Sequence, residues 1–171
     1  MGIDSTAYKV VLLLHILCAI VGFGTVILNG LYGREAKRRP GPGGLAITEA
    51  NLTVSGIAEY FIYAVFILGL ALVGMSDNLW TFGQTWIWLA IVLYLVGIGV
   101  SHGILFPNAK RMKELSAELV AGGPPPADAP PGPPPQVAEM EQRGKTLGAA
   151  STFLHLLLVG ILVLMIWKPG I

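Results

Sequence analysis

The chain opens with an unbroken apolar segment from Tyr8 to Tyr32, YKVVLLLHILCAIVGFGTVILNGLY. Its only basic side chains are Lys9 at the start and His15 inside, and its length matches the roughly 20 apolar residues that span a bilayer core. At 3.6 residues per turn, small and polar side chains fall on one stripe of the helix: His15, Cys18, Gly22, Thr25 and Asn29. A span with an apolar exterior and one polar seam is typical of a helix bundle.

The composition indicates that the whole chain is a membrane protein. Hydrophobic residues are 54% of the 171 residues and charged ones 12%, about half the charged share of soluble domains. We predict an all-α fold, an antiparallel bundle of four transmembrane helices forming a single domain, 1–171. The expected spans are about 8–32, 54–75, 86–106 and 147–167. The first is predicted to remain uncleaved, because its basic residues follow the apolar run and a signal peptide has them before it.

The basic residues predict how the bundle is oriented. Nine of them lie in the first-to-second and third-to-fourth connections, and the other side has only Lys9 and Lys168. The positive-inside rule therefore places both connections in the cytosol and both termini outside. A multi-pass protein of the bacterial cytoplasmic (inner) membrane is the expected location. Nucleic acid is not an expected partner, because these bases lack interleaved aromatic residues and lie at the membrane.

The connections carry strong helix-breaking signals. GREAKRRPGPGG, after the first span, is expected to form a turn-rich link that cannot continue the helix. The third span is expected to stop at Pro107, before a charged, helix-prone extension over 109–120. Eight prolines between Pro124 and Pro135 predict a polyproline-II or disordered linker over about 121–137.

Polar residues within the spans are the candidate functional groups, because such groups are costly in lipid and usually face the bundle interior. Near the cytosolic side a polar cluster is predicted from Asn29, Glu59, Tyr63, Ser101 and Thr152. Glu59 needs a proton, a partner or water, and His102 or His155 is its simplest partner. The serine and threonine side chains can equally bond their own helix backbones.

The histidines suggest a cofactor. By the 1.5 Å rise per residue, His102 and His155 lie within about 5 Å of each other in depth, and His15 lies alone, about 10 Å below the outer face. Two imidazoles at one depth can coordinate a haem iron, with Gly99 and Gly103 making room for a porphyrin. A b-type haem is therefore one hypothesis; a His/Glu metal site is a weaker one.

LLLHILCAIVGFGTVI and the closing MIWKPG resemble small bacterial proteins described as predicted integral membrane proteins of unknown function. The matching pattern is a histidine followed by small residues and an aromatic-glycine step: His15, Ala19, Gly22, Phe23 and Gly24. The first helix is more distantly similar to the copper-resistance D domain and to haem-dependent membrane protoporphyrinogen oxidases. That resemblance implies a metal or haem ligand at His15.

Three functions remain open from the sequence. The first is a redox-associated accessory protein that holds b-type haem through His102 and His155, or through His15 and one of them. The second is a structural subunit of a larger, respiratory-type membrane complex or a homo-oligomer, packed through its glycine faces. The third is a small transporter or proton-relay component that uses Glu59 and the histidines.

The orientation can be tested by cysteine labelling after Cys18→Ala removes the native thiol. We expect an impermeant thiol reagent on intact cells to label a cysteine at Asn78 and to spare cysteines at Gly41 and Ala127, because only the first faces outward. Labelling at Gly41 without labelling at Asn78 would invert the bundle.

Overall fold

The protein is a bundle of long helices, seen in a computed structural model that describes residues 2–123 and 132–170. The elements are α1 Thr6–Arg38, α2 Pro42–Gly74, α3 Thr85–Val100, a π turn Ser101–Leu105, α4 Phe106–Gly122 and α5 Pro135–Trp167. Because the π turn joins α3 to α4 without a break, four continuous helices within these described residues are long and apolar enough to cross a membrane. The predicted all-α fold with four spans is confirmed. Residues 124–131 of the predicted proline-rich linker lie outside the described residues, and its two ends belong to helices, since α4 ends at Gly122 and α5 begins at Pro135.

The helices are longer than the predicted spans. α1 has 33 residues, which is about 50 Å of helix against a hydrocarbon core of roughly 30 Å. The expectation that GREAKRRPGPGG cannot continue the helix is wrong for its first half, because α1 runs on to Arg38. An ion pair one turn apart, Glu35 to Arg39 at 2.7 Å, supports this last turn. α2 then starts at Pro42, where a first-turn proline loses no helical hydrogen bond.

The third span does not stop at Pro107, contrary to expectation. A proline inside a helix lacks the N–H group and crowds the carbonyl four residues earlier, here that of Gly103. In the π turn, the Phe106 N–H group donates to the Ser101 carbonyl, five residues back. This wider turn accommodates the proline, so the helix continues into α4.

The helices form two closely packed pairs. α1 packs along α2, and α3 and α4 pack along α5. Between the pairs, no Cα atom of α2 lies within 8 Å of one of α3. Long side chains bridge this seam: the rings of Phe66 and Tyr94 stack at 4.7 Å, and the Tyr94 hydroxyl donates to the Ile62 carbonyl at 3.3 Å.

The outer surface of the bundle is apolar over the spans, as a lipid environment requires. Large exposed hydrophobic side chains cover α1 and α5, among them Leu13, Ile20, Leu31, Leu156 and Ile166. Little of the apolar window of each helix is buried inside the protein. The exteriors of these helices therefore face a nonaqueous solvent.

The two ends of the bundle differ. On the basic side, where the α1–α2 and α4–α5 connections lie, Lys113 of α4 pairs with Glu49 of α2 at 3.3 Å. On the opposite, aromatic side, Trp80 and Trp86 meet edge to face, and the Lys168 ammonium lies 4.2 Å above the Trp80 ring. This cation–π contact attaches the end of α5 to the α2–α3 connection.

The closest approach of α1 and α2 gives a stability prediction. A Cβ atom at Gly22 would lie 2.8 Å from Ile62 Cγ1 and 3.2 Å from the Ile62 backbone nitrogen. Gly22→Ala should lower the free energy of unfolding by about 1–3 kcal/mol through overpacking, measured by unfolding in detergent. Gly24→Ala is the control, since its Cβ would contact nothing within 4 Å. Equal stability of both variants would contradict this packing.

Candidate intramembrane polar site

Helix α2 receives most of the polar contacts between helices inside the spans. Ser55 Oγ donates to Asn29 Oδ1 of α1 at 3.2 Å. Further along α2, Glu59 pairs with His102, the Ile62 carbonyl accepts from Tyr94, and the Val65 carbonyl accepts from His15. These steps of three or four residues keep the four contacting groups on adjoining faces of α2. α2 is therefore the polar spine of the bundle.

The densest of these contacts is a triad of Glu59, Tyr63 and His102. His102 Nε2 lies 2.7 Å from Glu59 Oε1 and 3.0 Å from the Tyr63 hydroxyl. The Tyr63 hydroxyl also donates to Glu59 Oε1. On the other side of the imidazole, Nδ1 lies 3.0 Å from the Ile98 carbonyl oxygen. Of the two partners open to Glu59 in the sequence, the structure brings His102 to it.

These contacts restrict which atoms of the triad can donate and which can accept. The Ile98 carbonyl only accepts, so His102 Nδ1–H is the donor of that contact. His102 Nε2 and Glu59 Oε1 lie at hydrogen-bond distance, so one of the two atoms donates and the other accepts. The Tyr63 hydroxyl donates to the same Glu59 oxygen.

The triad lies where the third span is distorted by the π turn, and its side chains are partly exposed at the surface of the bundle. His102 is the second residue of the π turn, and π turns are frequent at functional sites. Counting 1.5 Å per residue from Trp86, it lies about 24 Å below the aromatic side, within the bilayer core but nearer its basic edge. The side chains of His102 and Glu59 are 46% and 24% exposed. The triad therefore opens to the surface of the bundle.

His15 occupies a separate position between α1 and α2. Its Nδ1 lies 2.9 Å from the Val65 carbonyl, which again assigns the Nδ1 proton. Gly69 makes room for the ring, since a Cβ there would lie 3.3 Å from His15 Cε1. An Nδ1–H group held by a carbonyl is the usual way in which a ligating histidine is oriented, with Nε2 directed at the metal.

The structure gives the other predicted site residues weaker contacts. His155 Nε2 lies 3.4 Å from the Val26 carbonyl, a long contact, and Thr152 bonds the Gly148 carbonyl of its own helix at 3.0 Å. Ser101 is the first residue of the π turn, and its carbonyl accepts from the Phe106 N–H group. The three histidines thus have different partners. Within residues 2–123 and 132–170, no three His, Cys, Asp or Glu side chains converge on a possible metal position. Haem ligation stays a prediction.

Two features of this region were missed by the sequence reasoning. Tyr94 reaches α2 across the seam, but an aromatic residue in an apolar span resembles a lipid-facing one. On the basic side, Glu139 of α5 forms ion pairs with two arginines. Its Oε1 lies 2.8 Å from Arg143 Nε and 3.2 Å from Arg111 Nε. Asn108 Oδ1 accepts from Arg143 at 2.8 Å. This network holds α4 to α5 outside the apolar spans, and the sequence indicated only a charged extension there.

From the contacts of the triad we predict that replacing His102 destabilises the protein more than replacing His155. His102→Ala should lower the free energy of unfolding in detergent by about 1–2 kcal/mol, because Glu59 loses its partner inside the span. In Glu59→Gln/His102→Ala the two losses should not add, since one interaction accounts for both. His155→Ala is the matched control with a 3.4 Å contact. An equal loss in that control, or additive losses in the double variant, would contradict a stabilising Glu59–His102 pair.

Comparisons with known proteins identify a family. The pattern of the family described as "Predicted integral membrane protein (DUF2269)" matches residues 9–169. No curated protein and no solved structure matches the chain, so the distant similarity to copper-resistance D and protoporphyrinogen oxidase domains stays a prediction. The match covers all four spans, from the start of the first to the residues after the last. The chain belongs to this family of integral membrane proteins of unknown function.

Proposed function

We propose that this protein is a proton-relay component of a bacterial inner membrane that takes up and releases one proton at the Glu59, Tyr63 and His102 triad. The observation that carries the proposal is the 2.7 Å contact between a carboxyl and an imidazole inside a membrane span. Ionisable groups in spans are rare, and they mark proton and ion pathways.

The triad supplies the donors and acceptors for such a step. With one proton shared, His102 Nε2 and Glu59 Oε1 form a donor–acceptor pair, whichever atom carries it. When that proton leaves, both atoms become acceptors, and the Tyr63 hydroxyl can donate to only one of them. The unloaded state therefore has an unsatisfied acceptor in a medium of low dielectric constant, which favours reloading.

The depth of the triad supports a relay over a purely structural pair. The triad lies near the basic side, which the positive-inside rule places in the cytosol. Tyr63 lies one helical turn from Glu59 towards the aromatic side. Tyr94 extends the polar contacts of α2 in that direction. Glu59 is the one acidic residue in the four predicted spans, so it is the acid that a proton delivered from the cytosol would meet there.

A second candidate, haem or metal binding at His15, is favoured by the orientation of that ring. The Val65 carbonyl holds Nδ1–H, which leaves the Nε2 lone pair for a ligand. If haem were bound, His15 Nε2 would hold its iron and the haem would supply redox chemistry. At His102 the fit is poorer, because Glu59 and Tyr63 already contact its Nε2.

The relay can be measured in liposomes that contain the purified protein, a potassium gradient with valinomycin and an internal pH dye. Wild-type protein should admit protons. Glu59→Gln, which keeps the shape and removes the titrating group, should lower the flux about a hundredfold, the low end for a positioned proton-transfer group.

The matched control is Glu49→Gln, whose carboxylate pairs with Lys113 on the basic side and should leave the flux unchanged. Unaltered flux in Glu59→Gln would contradict the relay. The absorption spectrum of the same sample tests the second candidate. A Soret band that His15→Ala removes and His102→Ala keeps would favour haem at His15.

A further inference from the structure

We propose that the basic end of α1 is a binding site for one anionic phospholipid. An open groove of about 320 Å³ runs along this end of the helix. Its lining is apolar except at the last position: Leu28, Leu31, Tyr32 and Glu35. The site is separate from the triad and does not depend on the proposed relay.

The groove lies at the level of the bilayer where the acyl chains meet the headgroups. Leu28 follows Tyr8 by 20 residues, which is about 30 Å along the helix and equals the thickness of the hydrocarbon core. Leu31, Tyr32 and Glu35 continue the same stripe past this border. A ligand in the groove must therefore be apolar at one end and polar at the other, as a phospholipid is.

The charge beside the groove selects an anionic headgroup. Glu35 is held by two guanidinium groups, that of Arg39 at 2.7 Å and that of Arg38 at 3.7 Å. The three side chains together carry a net charge of one positive unit at the polar end of the groove. Both arginines are largely exposed, at 66% and 80% of their side chains. A phosphodiester can therefore bridge them while its acyl chain lies on Leu28 and Leu31.

The opposite face of α1 provides an internal control. At about 100° per residue, Lys37 points about 160° away from Glu35, whereas Arg38 lies within about 60° of it. Lys37 and Arg38 are adjacent in sequence, exposed and equal in charge. A diffuse attraction to an anionic surface would weaken equally when either is neutralised, but of these two residues a lipid seated in the groove depends only on Arg38.

The experiment follows the melting temperature of the full chain in neutral detergent while lipid is added. Phosphatidylglycerol should raise it saturably, because a ligand that binds only the folded state stabilises it. Phosphatidylcholine with the same chains and inorganic phosphate should have little effect. Arg38→Gln should need about five times more phosphatidylglycerol for the same shift. Lys37→Gln should behave like wild type.

A second variant tests the apolar half of the site. Leu31→Gln keeps every charge and alters a side chain that is already 56% exposed, so the fold should persist while the phosphatidylglycerol shift weakens. Leu13→Gln is its control, equally exposed on α1 but near the aromatic side. Three results would each overturn the site: equal loss in Lys37→Gln and Arg38→Gln, an equal response to phosphatidylcholine, or a full shift with phosphate alone.

Discussion

The bundle depends on one constraint, that a polar group inside lipid needs a partner within the protein. Helix α2 provides such partners for polar groups of α1 and of the third span. Its carbonyls accept hydrogen bonds from His15 and Tyr94, its Ser55 hydroxyl donates to α1, and its Glu59 pairs with the π turn of the third span. In a solvent that gives no hydrophobic driving force between helices, such contacts and close glycine packing decide which helices pair. The position of α2 in the centre of these contacts follows from that.

Much of this could be predicted from the sequence. The length of the apolar segments and the helix-breaking residues between them were enough to predict four spans. The rise of 1.5 Å per residue was enough to place Glu59 and His102 at a similar depth. The rotation of each helix about its axis was not predictable in the same way. His102 and His155 lie at similar depth, but one meets Glu59 and the other meets the Val26 carbonyl at 3.4 Å. Depth depends on rise alone, whereas the choice of partner depends on how the helices pack.

The π turn explains why the predicted end of the third span differs from the observed one. Its i to i+5 hydrogen bond at Ser101 adds a residue to one turn, so positions beyond it no longer follow the 3.6-residue phase of α3. Pro107, taken from sequence as a stop, is the residue that makes this turn favourable. The same residue therefore misled the assignment of the helix end, and the residues after the turn no longer lie on the faces that regular periodicity gives them.

The seam between α2 and α3 has a consequence for motion. Within each helix pair the backbones are in close contact, so sliding would force Gly22 against Ile62. Between α2 and α3, the contact consists of ring faces and a hydroxyl group at the tips of Phe66 and Tyr94, whose side-chain torsions can rotate without moving a backbone. On the basic side α2 and α4 approach closely and are joined by the Lys113–Glu49 pair. We therefore expect the aromatic end of the seam to open and close while its basic end stays in place, and the carboxyl–imidazole pair lies between the two ends.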